Sequence, residues 1–320
     1  MSRITQCKIS DLADRLPQPL DCLFVSASFE ERGYGIGEQL WENVRSKRFV
    51  CFNENHLSYL HSSVNRFREM IPNAEFVSLD SDNPLRSFNN LRLAIKSLTN
   101  DGACHVGIDI TCFTREATPI LLFLMKHELP KGSLITAFYQ KAGHYGRTRR
   151  GGWLTEGVRE VRTILGYSGS VSLSADTHLI IVSGFEYERA QEIVDAVQPT
   201  RISLGHAMVE DGVAFTFNLD HETFVKQLEG LYLGLSLDRF NFSSVDPFIT
   251  KANLQKVVQT SCNQNIVVAC LNTKPATFGV SLAALEDPVI QLVYAQPVCY
   301  NTLGYSEPSG EIVFFTINNL

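Results

Sequence analysis

Two short stretches of this 320-residue chain hold the residue types that grip anions or move protons. The first is Ser26-Ala27-Ser28-Phe29-Glu30-Glu31-Arg32, which follows the apolar run Cys22–Ser26. Small hydroxyl residues between a strand and a helix present backbone N–H groups and hydroxyls to an anion. Ser26, Ser28 and Arg32 are the binding candidates, with Glu31 facing either a ligand or Arg32. The same residues also read as a capped helix, Ser28 as N-cap with Glu31 three positions on, carrying a surface ion pair. The second stretch is Asp109-Ile110-Thr111-Cys112-Phe113-Thr114-Arg115. An aspartate ending a buried strand is costly unless it is paired or faces a crevice. Thr111, Thr114 and Arg115 together can hold a phosphate through hydroxyl and charge-assisted bonds. The plainer reading has Asp109 or Thr111 capping the following helix.

Both stretches recur in the second half of the chain. Segment 24–32 aligns without gaps to segment 181–189, with an offset of 182 − 25 = 157, and valine, serine, glutamate and arginine coincide. This makes Ser183 and Arg189 the counterparts of Ser26 and Arg32. Aligning Thr114-Arg115 with Thr273-Lys274 gives an offset of 273 − 114 = 159 and adds Thr273 and Lys274 to the binding candidates. Two junctions repeated at nearly one offset point to a duplicated unit.

The elements that must position these junctions alternate strand and helix. In the first half, strands are expected at Cys22–Ser26, Phe49–Phe52, Glu75–Leu79, His105–Ile110 and Ser133–Tyr139. Helices are expected at Gly35–Val44, His56–Met70, Pro84–Leu98 and Thr114–Lys126. Residues 151–177, with small, polar and mixed composition, read as a linker containing at most a short helix. The alternation resumes with strands at His178–Ser183, Arg201–Leu204, Val213–Phe217, Ile266–Cys270 and Val289–Tyr294. Helices are expected at Glu186–Val197, His221–Leu233, Lys251–Thr260 and Lys274–Leu285, and Glu311–Ile317 reads as a final hairpin strand. The fold class is therefore α/β: two tandem Rossmann-like units with mainly parallel sheets, pseudo-two-fold related, at 1–150 and 178–320. In such sheets ligands bind at the carboxyl ends of the strands.

The pattern hydrophobic-Asp-hydrophobic-Thr-x-x-Thr-basic at 108–115 resembles the signature of the CRISPR-associated Rossmann fold (CARF) sensor domains. That resemblance implies a pocket for cyclic oligoadenylate lined by Asp109, Thr111, Thr114 and Arg115, and by Cys270, Thr273 and Lys274 in the second half. The family has two glycines between the threonines; here Cys112 and Phe113 stand there, with Leu271 and Asn272 in the second copy and Val268 in place of the aspartate. Two such units in one chain are similar to the SAVED sensor architecture of anti-phage signalling systems. The whole chain also resembles uncharacterised bacterial defence-associated proteins with a Ser-Phe-Glu-x-Arg start and a Gly-Phe-Glu-x-Glu-Arg midpoint.

Composition narrows the function. A net charge of −6 argues against a general nucleic-acid binder, leaving only the basic stretch His144–Arg150, with Arg147, Arg149 and Arg150, for nucleic-acid contact. The eight cysteines form no C-x-x-C pair and read as free thiols of a cytoplasmic protein. No apolar run nears the roughly 18 residues of a membrane span. Phosphate-loop, dinucleotide, zinc-protease and nucleophile-elbow motifs are missing. Gly33-x-Gly35-x-Gly37 has the wrong spacing for a dinucleotide site, the histidines are scattered, and neither metal nor cofactor is expected. Tyr139 and Tyr294 end comparable strands, as core aromatics or as stacking surfaces for a base.

Three functions fit. One is a sensor or regulatory subunit that binds a nucleotide or nucleotide second messenger and works through a partner effector protein. Another is an enzyme acting on a nucleotide or nucleic acid with Asp109, Glu31 and Arg32 in one cleft. The third is a structural subunit of a defence complex.

Overall fold

A computed structural model describes residues 4–98, 102–145, 154–184, 186–208, 215–232, 234–261 and 263–318. The chain begins with β1 (Ile4–Lys8), α1 (Leu12–Arg15), β2 (Leu20–Ser26), α2 (Arg32–Leu40), β3 (Val44–Asn53) and α3 (Leu57–Met70). It continues through β4 (Glu75–Leu79), α4 (Pro84–Lys96), β5 (His105–Asp109), α5 (Ala117–Glu128) and β6 (Leu134–Tyr145). A second series follows: β7 (Thr155–Ser168), β8 (Thr177–Val182), α6 (Tyr187–Val197), β9 (Arg201–Ala207), α7 (Phe215–Leu231) and β10 (Ser236–Phe242). It ends with α8 (Pro247–Gln259), β11 (Asn265–Cys270), α9 (Lys274–Glu286) and β12 (Ile290–Tyr300), before the terminal β13 (Ser306–Asn318).

Local chemistry accounts for these elements. β2 and β8 are almost wholly buried, as strands covered on both faces must be, and their sequences are nearly continuous apolar runs. α4 and α8 each begin with proline at the first turn, where its missing N–H is harmless. Asn83 accepts the Arg86 N–H at 3.1 Å, and Asp246 accepts those of Phe248 and Ile249 at 2.8 and 3.2 Å. On α4, Leu91, Ala94 and Ile95 carry the packing, while Leu85 is 58% exposed.

Two α/β units result, each with one mostly parallel sheet. The first sheet has the order β1-β13-β6-β5-β2-β3-β4, the second β10-β9-β8-β11-β12-β7. In each, the earliest parallel strand, β2 or β8, lies centrally, and the chain builds outward first on one side and then on the other. The sheets match strand for strand. β2, β3, β4, β5 and β6 correspond to β8, β9, β10, β11 and β12, and an antiparallel strand, β13 or β7, flanks the last of each series. The duplication read from the sequence is thus present in the topology.

The expected boundaries are corrected in two respects. The stretch read as a linker, 151–177, contains β7, a 14-residue strand antiparallel to β12. The last strand does not form a hairpin with β12; it pairs with β6 and β1 in the first sheet. The units are therefore Met1–Gly152 with Thr302–Leu320, and Trp153–Asn301. Each flanking strand is reached through a connection that crosses to the other unit's sheet, a reciprocal exchange. β7 hid from pattern reading because Val158, Val161 and Ile164 recur every third residue. Its pairing with β12 is interrupted by register shifts that break the period of two. The strand expected at Val213–Phe217 lies partly outside the described residues, and Phe215–Phe217 begin α7. The edge strand β10, patterned S-L-D-R-F-N-F, had no reading at all.

The exchange makes the C-terminus a core element of the first unit. Ile312, Val313, Phe314 and Phe315 are buried there, and β13 is the partner of β1. Deleting residues 302–320 is expected to leave β6 with an unpaired edge and to accelerate amide exchange throughout Leu134–Tyr145, measured by mass spectrometry. Unchanged protection of that strand would show that β13 is dispensable.

Candidate functional site

The two chemistry-bearing junctions converge in the first unit because their strands are neighbours. β2 and β5 pair in parallel from Cys22 opposite Val106 to Phe24 opposite Ile108. Beyond that point they part. The Ala27 N–H turns to the Cys51 carbonyl on β3 at 2.8 Å, and the Ile110 N–H turns to the Phe138 carbonyl on β6 at 2.9 Å. This divergence is the topological switch point of an open α/β sheet, where crevices form at strand carboxyl ends.

The second unit departs from this at the same place. β8 and β11 stay paired through Val182 opposite Cys270. The Leu271 N–H then donates to the Val182 carbonyl at 2.9 Å, and Asn272 Nδ2 donates to the Ser183 carbonyl at 2.6 Å. A Cβ on Gly184 would stand 1.9 Å from the Leu271 oxygen, so the two loops touch through their backbones and only glycine fits. Strand pairing also revises the alignment. Phe24 matches Ile181, and these face Ile108 and Ala269, so the counterpart of Asp109 is Cys270 rather than Val268. The second junction is two residues shorter than the first.

Arg32 lies at the first residue of α2 and is 2% exposed. Its Nη2 donates to Glu30 Oε2 at 2.6 Å, its Nε to Glu30 Oε2 at 3.1 Å and to Ser306 Oγ on β13 at 2.8 Å, and its Nη1 to the Gln140 carbonyl at 2.9 Å. The Ser306 hydroxyl also donates to Glu30. The guanidinium lies 5.8 and 5.5 Å from the centroids of the Tyr139 and Tyr145 rings. The second unit repeats this clamp. Arg189 donates to Glu186 at 2.9 Å and to the Ala295 carbonyl at 2.6 Å, lies 5.3 Å from the Tyr294 centroid, and shares Glu186 with Thr155 of β7. Removing one partner of such a buried pair costs roughly 3–5 kcal/mol, because the other charge is stranded.

The clamp corrects two readings. The acid paired with Arg32 is Glu30; Glu31 is exposed and bonds Arg66 at 3.2 Å. Tyr139 and Tyr294, considered for base stacking, are buried against the arginines. Glu30 escaped notice because a gapless alignment sets Glu31 over Glu188, whereas the clamp acids, Glu30 and Glu186, precede their arginines by two and three residues.

Asp109, 1% exposed, lies on the floor of the junction. Its Oδ1 accepts the Thr111 N–H at 2.9 Å, while Oδ2 is buried without a hydrogen-bond partner. Burial pushes its carboxyl up from an ordinary 3.8 to about 7, and Glu30 adds to the rise, against the downward pull of Thr111 and Arg32. On the adjoining strand, Gln140 Oε1 is likewise buried without a partner. The Thr111 hydroxyl accepts the Gln140 N–H at 3.0 Å, and the half-buried Cys112 thiol points to Glu30 Oε1 at 3.7 Å. Gly33 permits this approach, since a Cβ there would lie 3.2 Å from Cys112 Sγ.

The remaining candidates take local roles. Ser26 is buried, and the Ser28 hydroxyl accepts the Glu30 N–H at 3.2 Å rather than capping α2. Thr114 accepts the N–H of Ala117, the first residue of α5, at 3.0 Å, and Thr273 caps α9 by accepting that of Ala276 at 3.4 Å; neither Asp109 nor Thr111 caps α5. Arg115 and Lys274 are half-buried beside them, and Ser183 is fully buried. Within the second unit Ser183, Arg189, Thr273 and Lys274 lie around the closed edge. Of the basic stretch, only His144 and Tyr145 are described; Arg147, Arg149 and Arg150 lie outside the described residues. Among the described residues no group of three or more His, Cys, Asp or Glu is placed to hold a metal ion, and no helix is long and apolar enough to cross a membrane.

No protein-family model matches the chain, and no curated protein sequence does. Solved structures similar to it include the pyocyanin biosynthetic protein PhzM, at 7% identity over 42% of this chain and 36% of that chain with a TM-score of 0.25. Others are DesVI of Streptomyces venezuelae, at 13% identity over 49% and 56% with a TM-score of 0.24, and the geranyl diphosphate C-methyltransferase of Streptomyces coelicolor A3(2), at 8% over 98% and 78% with 0.28. The chain thus spans about a third of the length of the first of these. At such identities and scores the similarities say nothing of this chain's activity.

Asp109 makes a signed prediction. A carboxyl raised in the folded state favours the protonated fold, so its contribution is complete below about pH 4 and is lost as the pH rises through about 7. Asp109→Asn is expected to stabilise the protein at pH 8, by up to on the order of 4 kcal/mol. The gain should shrink towards zero near pH 4 in urea-denaturation curves. A gain independent of pH would mean that Asp109 ionises normally.

Proposed function

We propose that the first unit binds a nucleotide-type ligand at the diverging ends of β2 and β5, and that the chain serves as a sensor or regulatory subunit for a partner effector. The observation that carries this reading is the unpartnered Oδ2 of Asp109 at a switch point where the strands part in the first unit and stay paired in the second. A buried acceptor is costly to leave unsatisfied, and a ligand hydroxyl or amine answers it. A sugar hydroxyl or an exocyclic base amine suits Asp109; a phosphate is repelled by the carboxylate and suits the side of Arg115 at the start of α5. The CARF-like pattern at 109–115 supports a nucleotide second messenger as the ligand, and with it a place in anti-phage defence.

Closure of the second switch point favours one ligand per chain. The clamp arginines, whose donors go to the fold, are positioning residues in this reading, and of the expected phosphate grip by Thr111, Thr114 and Arg115 only Arg115 is kept. A second reading, an enzyme, draws on the same aspartate. A carboxyl that ionises near pH 7 can act as a general acid or base, and turnover of a bound nucleotide would favour it.

A thermal-shift screen of the purified chain against nucleotides, cyclic dinucleotides and cyclic oligoadenylates tests the proposal. A ligand that binds only the folded state raises the melting temperature by mass action. The expected result is a rise that Asp109→Asn and Arg115→Ala each diminish. No rise with any of these compounds, or a rise indifferent to both variants, counts against the site.

A further inference from the structure

Two buried side-chain oxygens of the first unit receive no hydrogen bond from the described residues: Asp109 Oδ2 at the end of β5 and Gln140 Oε1 on β6. The strands bring them together. Asp109 lies opposite Phe138 in the parallel pair, and Gln140 follows Phe138 by two residues, so all three side chains leave the same face of the sheet. Thr111 joins the two residues: its N–H donates to Asp109 Oδ1 at 2.9 Å, and its hydroxyl accepts the Gln140 N–H at 3.0 Å. The Asp109 carboxyl thus curls forward to the level of Gln140. From the other side α2 closes on the amide, since a Cβ on Gly35 would stand 2.8 Å from Gln140 Oε1.

The clamp requires neither group. In the second unit the Ala295 carbonyl accepts Arg189 as the Gln140 carbonyl accepts Arg32, and Cys270 stands where Asp109 stands. The same arrangement is built there without either acceptor.

We propose that Asp109 and Gln140 form a proton-binding pair, in which the Asp109 carboxyl carries a proton on Oδ2 and donates it to Gln140 Oε1. Two acceptors facing each other away from water repel, and a single proton turns them into donor and acceptor. The charged groups that face the pair are Arg32 and Glu30, with Cys112, Tyr139 and Tyr145 around the guanidinium. Burial pulls the Arg32 guanidinium down, but Glu30 holds it above its ordinary value, and burial pushes the Tyr145 hydroxyl up. The Asp109 carboxyl, raised by burial to about 7, therefore ionises near neutral pH while Arg32 keeps its charge. On ionisation the Oδ2–H bond breaks and the proton passes to solvent. The carboxylate left behind competes with Glu30 for Arg32, which makes the pair a pH-sensitive element at the switch point. The pair acts in the free chain, so its test needs no ligand and its failure is separate from failure of the binding site above.

The test is carbon-13 NMR of the full chain labelled at its aspartate carboxyls, with the Asp109 signal identified by its loss in Asp109→Asn. Its titration is followed in the parent, in Gln140→Met, which keeps volume and removes the acceptor, and in Gln140→Glu. The parent midpoint is expected near neutral pH. Loss of the acceptor disfavours the protonated form, so Gln140→Met should titrate about one pH unit lower, the worth of an ordinary hydrogen bond. Gln140→Glu sets a second carboxyl beside the first and should raise the Asp109 midpoint above the parent's. A parent midpoint in the ordinary carboxylate range overturns the pair, as does a midpoint that Gln140→Glu fails to raise. A midpoint that Gln140→Met leaves in place also overturns it. So does a rise in Gln140→Met, because the amide would then serve the carboxylate as a donor.

Discussion

A guanidinium buried to 2–3% exposure must have its charge and its donors answered within the fold, and both units are organised around meeting that demand. Arg32 and Arg189 each stand in the first turn of a helix at the carboxyl edge of a sheet. Each takes a glutamate from the preceding loop, a carbonyl from the last parallel strand and an aromatic ring beneath. The clamp acid then bonds a hydroxyl on the antiparallel flanking strand: Ser306 on β13 in the first unit, Thr155 on β7 in the second. Because β13 flanks the first sheet, the first clamp draws on a segment distant in sequence. Arg32 and Ser306 are 274 residues apart, so the first clamp cannot form until almost the whole chain is in place.

The clamp also explains what in the sequence was legible. The repeat 24–32 with 181–189 stood out because a clamp arginine stands in the first turn of the helix after each central strand, and the strand–helix alternation was clear because parallel strands buried on both faces are apolar runs. The exchange was not legible. Nothing in Glu311–Ile317 distinguishes a strand that pairs with β12 from one that pairs with β6. β7 was obscured by its three-residue apolar spacing. Glu30 was passed over for Glu31 because ungapped alignment cannot register a one-residue difference between loops.

The site itself was half visible. Asp109 was singled out because a carboxylate ending a buried strand demands an explanation, and the structure places it at the switch point with one oxygen unanswered. Thr114 was grouped with it as a phosphate ligand, but its hydroxyl accepts the N–H of Ala117 at the start of α5. The closure of the second unit rests on the backbone approach of Leu271 to Gly184, a contact between loops 87 residues apart that composition does not encode. The copies thus share the structural clamp and differ at the switch point.

Amide hydrogen exchange with and without saturating nucleotide, alongside the binding stoichiometry, tests this asymmetry most directly. The account predicts one ligand per chain, with slowed exchange in segments 26–32 and 109–115 and none in 183–189 and 270–274. Protection of the second unit's edge, or a stoichiometry of two, would contradict it.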